Sequence, residues 1–94
     1  MRDWLRLIAP VLKAVKERHD DPKNMAKGDY FTDVFEAWVK FNEESREASD
    51  EIMKYLEGNE DKQAVLKRLR YELADVILCA AMAINAVEKE LNDE

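Results

Sequence analysis

The chain predicts an all-α fold, on three observations. Two Gly and two Pro in 94 residues leave little material for the tight turns of an all-β domain. Apolar residues recur at helical rather than alternating spacing. From Leu73 to Val87 only Asp75 and Asn85 are polar, the pattern of a helix enclosed on most sides. At this length residues 1–94 make one domain with a modest core. One such chain hardly encloses that apolar run alone. The expected architecture is therefore a long helical hairpin plus an N-terminal helix, assembling a four-helix-bundle core by homo-oligomerisation, as a homodimer or a dimer of dimers.

Trp4, Leu5, Leu7, Ile8, Val11, Leu12 and Val15 form the apolar side of a first helix, with a kink or a new start expected at Pro10. His19 to Asp29, with Asp20-Asp21-Pro22, Asn24 and Gly28, reads as a connecting loop. A second helix is expected from about Phe31 or Thr32 to Glu57. It gathers Phe31, Val34, Trp38, Phe41, Ala48, Ile52 and Leu56 on one broad face, and Lys40, Glu43, Glu47, Asp50, Glu51 and Lys54 opposite. Glu44 falls at the border, where a carboxylate is partly buried yet reaches a cleft. Gly58 reads as the helix stop and Asn59 as the N-cap of a third helix from about Glu60 to Leu91, with Glu60 and Asp61 in its first turn.

Residues three apart share a helix face, so Glu44 with Glu47 makes one carboxylate pair and Glu72 with Asp75 another. A hairpin folded at Gly58 sets the two pairs facing each other. Four like charges held close repel unless protons or cations intervene, and hard oxygen ligands select Mg²⁺, Mn²⁺ or Ca²⁺. Each feature also has a plainer reading. The acids from Glu43 to Glu51 make an ordinary solvated face. Asp75, an acid within an apolar helix, needs a partner, and a salt bridge to Arg68, Arg70 or Lys67 serves as well as a cation. Asn85 fixes a helix interface, and Trp38 and Phe41 belong to the core.

The composition excludes several classes. A net charge of −6 argues against general affinity for a nucleic-acid polymer, which rests on Lys and Arg neutralising phosphates. The longest apolar run is too short to span a membrane and no signal peptide is expected at Met1-Arg2-Asp3-Trp4, so a cytoplasmic setting is expected, consistent with a lone Cys79. A ferritin-like di-iron centre wants Glu-x-x-His pairs, and the single His19 stands at a helix end. Neither a Cys-His nucleophile nor a glycine-rich phosphate loop is present.

Glu43-Glu44-Ser45-Arg46-Glu47, the intervening residues 48–71, and then Glu72-Leu73-Ala74-Asp75 resemble the MazG-like all-α nucleoside triphosphate pyrophosphohydrolases, whose pattern is Glu-Glu-x-x-Glu, a spacer, and Glu-x-x-Asp. Lys40 matches the family's Lys-apolar-x-Glu-Glu lead-in, and the apolar run after Asp75 ends at Asn85, where such proteins often carry Asn or Asp. The resemblance covers about Trp38 to Val87. Arg46 stands where the family usually has a small residue, Ala48 where Leu is common, and the Lys/Arg-bearing C-terminal segment of many relatives is missing. His19 to Ala26 is also similar to the His-x-Pro-Lys-Asn-Leu-Ala lead-in of some deoxycytidine triphosphatase relatives, though farther upstream.

The resemblance implies hydrolysis of a (deoxy)nucleoside triphosphate between the α and β phosphates, giving monophosphate and pyrophosphate, in house-cleaning of the nucleotide pool. It implies Mg²⁺, with Mn²⁺ a possible substitute, held by Glu44, Glu47, Glu72 and Asp75, with Glu44 or Glu47 positioning the attacking water as general base. Glu43 then supports the ligands or pairs with Lys40. Lys40, Lys54 or a basic residue of another subunit meets the outer phosphates, Asn85 bonds sugar or base, and Trp38 or Phe41 stacks on the base. From a different class, a non-catalytic helical oligomerisation or nucleotide-sensing module would retain the same acidic site.

Overall fold

Two short capping motifs define the hairpin that carries both acidic segments. The structure, a computed structural model, describes residues 2–23 and 33–93. It contains α1 (Arg2–Asp20), α2 (Val34–Glu57) and α3 (Lys62–Asn92), with no strand among the described residues. Helix α2 opens at Asp33, whose carboxylate accepts the Glu36 N–H at 2.7 Å. It closes at Gly58, in the left-handed region at φ 71°, where the Gly58 N–H donates to the Lys54 carbonyl. A Cβ at residue 58 would meet nothing within 4 Å, so Gly58→Ala carries only the left-handed backbone penalty, about 1–2 kcal/mol.

The third helix is capped by Asp61 and not by Asn59. Helix α3 starts at Lys62, which leaves Glu60 and Asp61 ahead of it, and the Asp61 carboxylate accepts the Ala64 N–H at 3.1 Å. Asp61→Ala should therefore cost about 1 kcal/mol in denaturant melts while Asn59→Ala costs little. Helix α1 continues through Pro10, so no new helix starts there, and it includes His19 and Asp20, which the sequence assigned to the loop. Phe31 and the loop from Asn24 lie outside the described residues.

Helix α3 is central: α2 and α1 each pack their backbones on it and not on each other. The α2–α3 pair is antiparallel. Ala37, near the start of α2, clusters with Cys79, Met82 and Ala86, while Glu51, toward its end, pairs with Arg68 near the start of α3. Small buried residues, Ala37 and Ala48 of α2 and Cys79 and Ala86 of α3, let the backbones approach.

The broad apolar face expected of α2 is divided. Ala48 is buried, but Val34, Trp38, Phe41, Ile52 and Leu56 are exposed, Trp38 at 60%. Trp38 and Phe41 are thus not core: α3 takes the adjacent stripe of Ala37, Glu44, Ala48 and Glu51, and Trp38 packs instead beside Phe35, ring centroids 5.9 Å apart. Periodicity located an apolar stripe but not which stripe finds a partner.

Helix α3 is apolar on two opposite sides. One side meets α2. The other carries Leu66, Leu73, Ile77, Ile84 and Leu91, all exposed in the protomer and spaced as a heptad seam. Pro10, Val11 and Ala14 of α1 line a groove with Leu66, Leu73 and Ile77. Ile84 and Leu91 lie beyond that groove. The enclosure expected for Leu73 to Val87 is therefore incomplete within one protomer, whose accessible surface of 7359 Å² exceeds the roughly 5,600 Å² of a compact monomer of this mass. No described helix is long and apolar enough to cross a membrane.

Candidate metal centre

The antiparallel hairpin sets Glu44 of α2 against Glu72 and Asp75 of α3. One carboxylate oxygen of each lies within 4.8 Å of the other two. Glu44 and Asp75 are buried and Glu72 is half-buried. Glu44 Oε2 and Glu72 Oε2 are shielded from solvent and have no hydrogen-bond partner. Buried carboxylate oxygens without partners are costly, so their coexistence points to a group that the site is made to receive.

Burial is the main reason that both glutamates resist ionisation. The Glu44 carboxyl is raised by burial first, then by the charges of Glu47 and Asp75, with Lys40 opposing. Glu72 is pushed up to about 7 by burial, by a hydrogen bond shared with Glu47, and by repulsion from Glu47, Asp75 and Glu44. Glu47 is exposed at the rim and interacts with the cluster through Glu72, outside the triad of closest oxygens. Cys79 is raised by its burial and by Glu44, which keeps the thiol protonated and leaves it a packing residue.

The donor set suits a hard cation. Three oxygens within 4.8 Å of one another surround a common point at no more than about 2.8 Å, so a cation that takes oxygen ligands at about 2.1–2.6 Å would need shifts of well under an ångström. Glu44, Glu72 and Asp75 are the residues that would hold it, with Glu47 within reach of Glu72.

Asp75 already has a counter-ion, and it is none of the three that its sequence neighbourhood suggested. Arg18 of α1 places Nε 2.9 Å from Oδ1 and Nη2 2.9 Å from Oδ2, a bidentate pair. Arg68 instead spans Glu51 at 3.1 Å and Glu60 at 2.9 Å, Arg70 lies over the Tyr71 ring, and Lys67 is exposed. The Arg18 guanidinium also lies 5.2 Å from the Tyr71 ring centroid and 3.4 Å from Asp21. Arg18 is 57 residues from Asp75, and the buried acid's need for a cation was the sole signal of it in the sequence.

The remaining predicted residues are dispersed. Lys40 sits at the cluster, 3.3 Å from Glu43 and 3.8 Å from Glu44, so Glu43 acts on the site through that lysine. Lys54 pairs with Glu51 at 3.3 Å, about two turns beyond Glu47, in a separate network with Arg68 and Glu60. Trp38 and Asn85 are exposed, and Asn85 lies ten residues past Asp75, about 15 Å along α3. The structure thus brings together Glu44, Glu72, Asp75, Lys40 and, through Glu72, Glu47. No family model matches the chain, and neither a curated protein nor a solved structure matches it.

Proposed function

We propose that the chain is a Mg²⁺-dependent nucleoside triphosphate pyrophosphohydrolase of the MazG-like kind, converting a (deoxy)nucleoside triphosphate to monophosphate and pyrophosphate. The observation that carries this reading is the meeting of Glu44, Glu72 and Asp75 with two buried carboxylate oxygens left unpartnered. The same residues make up most of the two-part acidic pattern on which the resemblance rests. A divalent cation there supplies neutralisation of phosphate charge and a more acidic water. Glu47, exposed at the rim, accepts the water's proton as general base, and Glu44 is the alternative for that role. Lys40, anchored by Glu43, meets the outer phosphates. Trp38 on the open face of α2 offers a stacking surface, and Asn85 a hydrogen-bonding group farther along α3.

The exposed seam of α3 and the exposed stripe of α2 support assembly with a second copy, giving the four-helix core as a homodimer or a dimer of dimers. The test of the activity is chromatography of the products from a panel of nucleoside triphosphates, with Mg²⁺ and with EDTA. Monophosphate and pyrophosphate should appear only with Mg²⁺. Glu47→Gln should abolish turnover and leave the assembly intact.

One observation favours a second reading. Arg18 satisfies both oxygens of Asp75 without any cation, which suits a non-catalytic oligomerisation or nucleotide-sensing module. No product from any nucleotide with Mg²⁺ or Mn²⁺, together with an Asp75→Asn variant that loses its assembly, would favour that module.

A further inference from the structure

Arg18 occupies the carboxylate that a cation at the acidic centre would need. Its fork takes both Asp75 oxygens at 2.9 Å, and Asp75 is one of the three acids whose oxygens converge. A guanidinium and a divalent cation compete for those oxygens. Arg18 is nevertheless held at the site by more than Asp75: it lies over the Tyr71 ring and beside Asp21. Losing Asp75 therefore need not move it away. A planar fork that fits a carboxylate also fits a phosphate, whereas Lys40, the other basic group paired within the cluster, is a point charge shared between Glu43 and Glu44.

We propose that Arg18 is a displaceable counter-ion of the acidic centre: it holds Asp75 while no cation is bound, is released when a divalent cation takes that carboxylate, and then binds the phosphates of the substrate. This rests on the reading of Glu44, Glu72 and Asp75 as a cation site. It makes cation loading the step that frees the anion-binding group, so phosphate binding follows the cation.

The test uses the full chain and two probes, Mn²⁺ alone and then inorganic pyrophosphate on the Mn²⁺-loaded protein, both by calorimetry. Arg18→Gln should bind Mn²⁺ about tenfold more tightly than the parent, because the competing charge is gone, and should lose about tenfold or more in pyrophosphate affinity. Arg18→Lys should recover part of the pyrophosphate affinity. Mn²⁺ affinity unchanged or weakened in a folded Arg18→Gln, or pyrophosphate affinity unchanged, overturns the proposal while leaving the cation site standing. Absence of Mn²⁺ binding by the parent chain overturns the site itself. The unsubstituted protein gives an independent measurement should Arg18→Gln not fold. The Arg18 Nε–H resonance should exchange slowly in EDTA and shift and exchange faster with saturating Mg²⁺; an unchanged resonance in protein shown to bind Mg²⁺ counts against release.

Discussion

Glu72→Gln is expected to make the metal-free protein more stable at pH 8 while removing cation binding and lowering turnover by about a thousandfold or more. Glu72 ionises near 7 in the fold against 4.5 ordinarily, because burial, the hydrogen bond shared with Glu47 and three neighbouring carboxylates disfavour its charge. A raised acid contributes stability that is complete below its unfolded value and is lost as pH rises through the folded one. Metal-free protein should therefore melt lower at pH 8 than at pH 6. Glutamine keeps the shape of the neutral acid at every pH, so the variant should lose most of that slope. The gain at pH 8 is about 1 kcal/mol after allowance for solvent screening, roughly 5 °C in a chain of this size. At the acid end the sign reverses. Burial works against ionisation of Glu51, but hydrogen bonds from Arg68 and Lys54 outweigh it and hold its carboxyl below the usual range, so its contribution is lost as pH falls below about 4.5. Melting curves with EDTA and with saturating Mg²⁺ at pH 6 and 8 read all of this: Mg²⁺ should stabilise the parent at pH 8 by mass action and leave the variant unmoved. A variant less stable than its parent at pH 8 in EDTA would show that the acids are a structural network and not an unsatisfied cation site.

How far the sequence reached follows from which signals were local. The three helices, the Gly58 stop and the facing of Glu44 toward Glu72 and Asp75 depend on periodicity, one left-handed glycine and antiparallel return, all readable along a short stretch of chain. The cap of α3 was misplaced by two residues because Asn59 and Asp61 carry the same capping chemistry and only the start of the helix separates them. Trp38 and Phe41 were misplaced for a different reason. Two apolar stripes on α2 compete for one partner helix, and the small-residue stripe with Ala37 and Ala48 wins because it allows a close seam. Arg18 escaped because its pair with Asp75 joins separate elements, and a buried acid announces that it needs a cation without saying from where.

If the chain assembles as proposed, Ile84→Lys combined with Leu91→Lys is expected to give monomers without unfolding the hairpin. Ile84 is 60% and Leu91 57% exposed in the protomer, so neither side chain contributes much to the seam between α2 and α3. Both lie on the heptad-spaced stripe with Leu66, Leu73 and Ile77, whereas Met82 and Ala86 on the opposite side contact Ala37. In a symmetric dimer each substitution occurs twice, so four apolar side chains, each about 60% exposed beforehand, lose burial worth roughly 1 kcal/mol each, about 4 kcal/mol in all or roughly 10³-fold in dissociation constant. Sedimentation velocity should then show a monomer whose helical circular dichroism is largely kept. Met82→Lys provides the contrast: it places a charge in the buried cluster and should unfold the hairpin itself. An unsubstituted chain that already sediments as a monomer, or a double variant that remains dimeric, would rule out this stripe as the contact. The monomeric variant also tests whether the acidic centre is self-contained. Glu72 and Asp75 face α2, on the side of α3 away from the stripe, and Glu44, Lys40 and Arg18 belong to the same chain. Mn²⁺ affinity retained in the monomer would then assign the cation site to one protomer, and any loss of nucleotide turnover to groups contributed by the second.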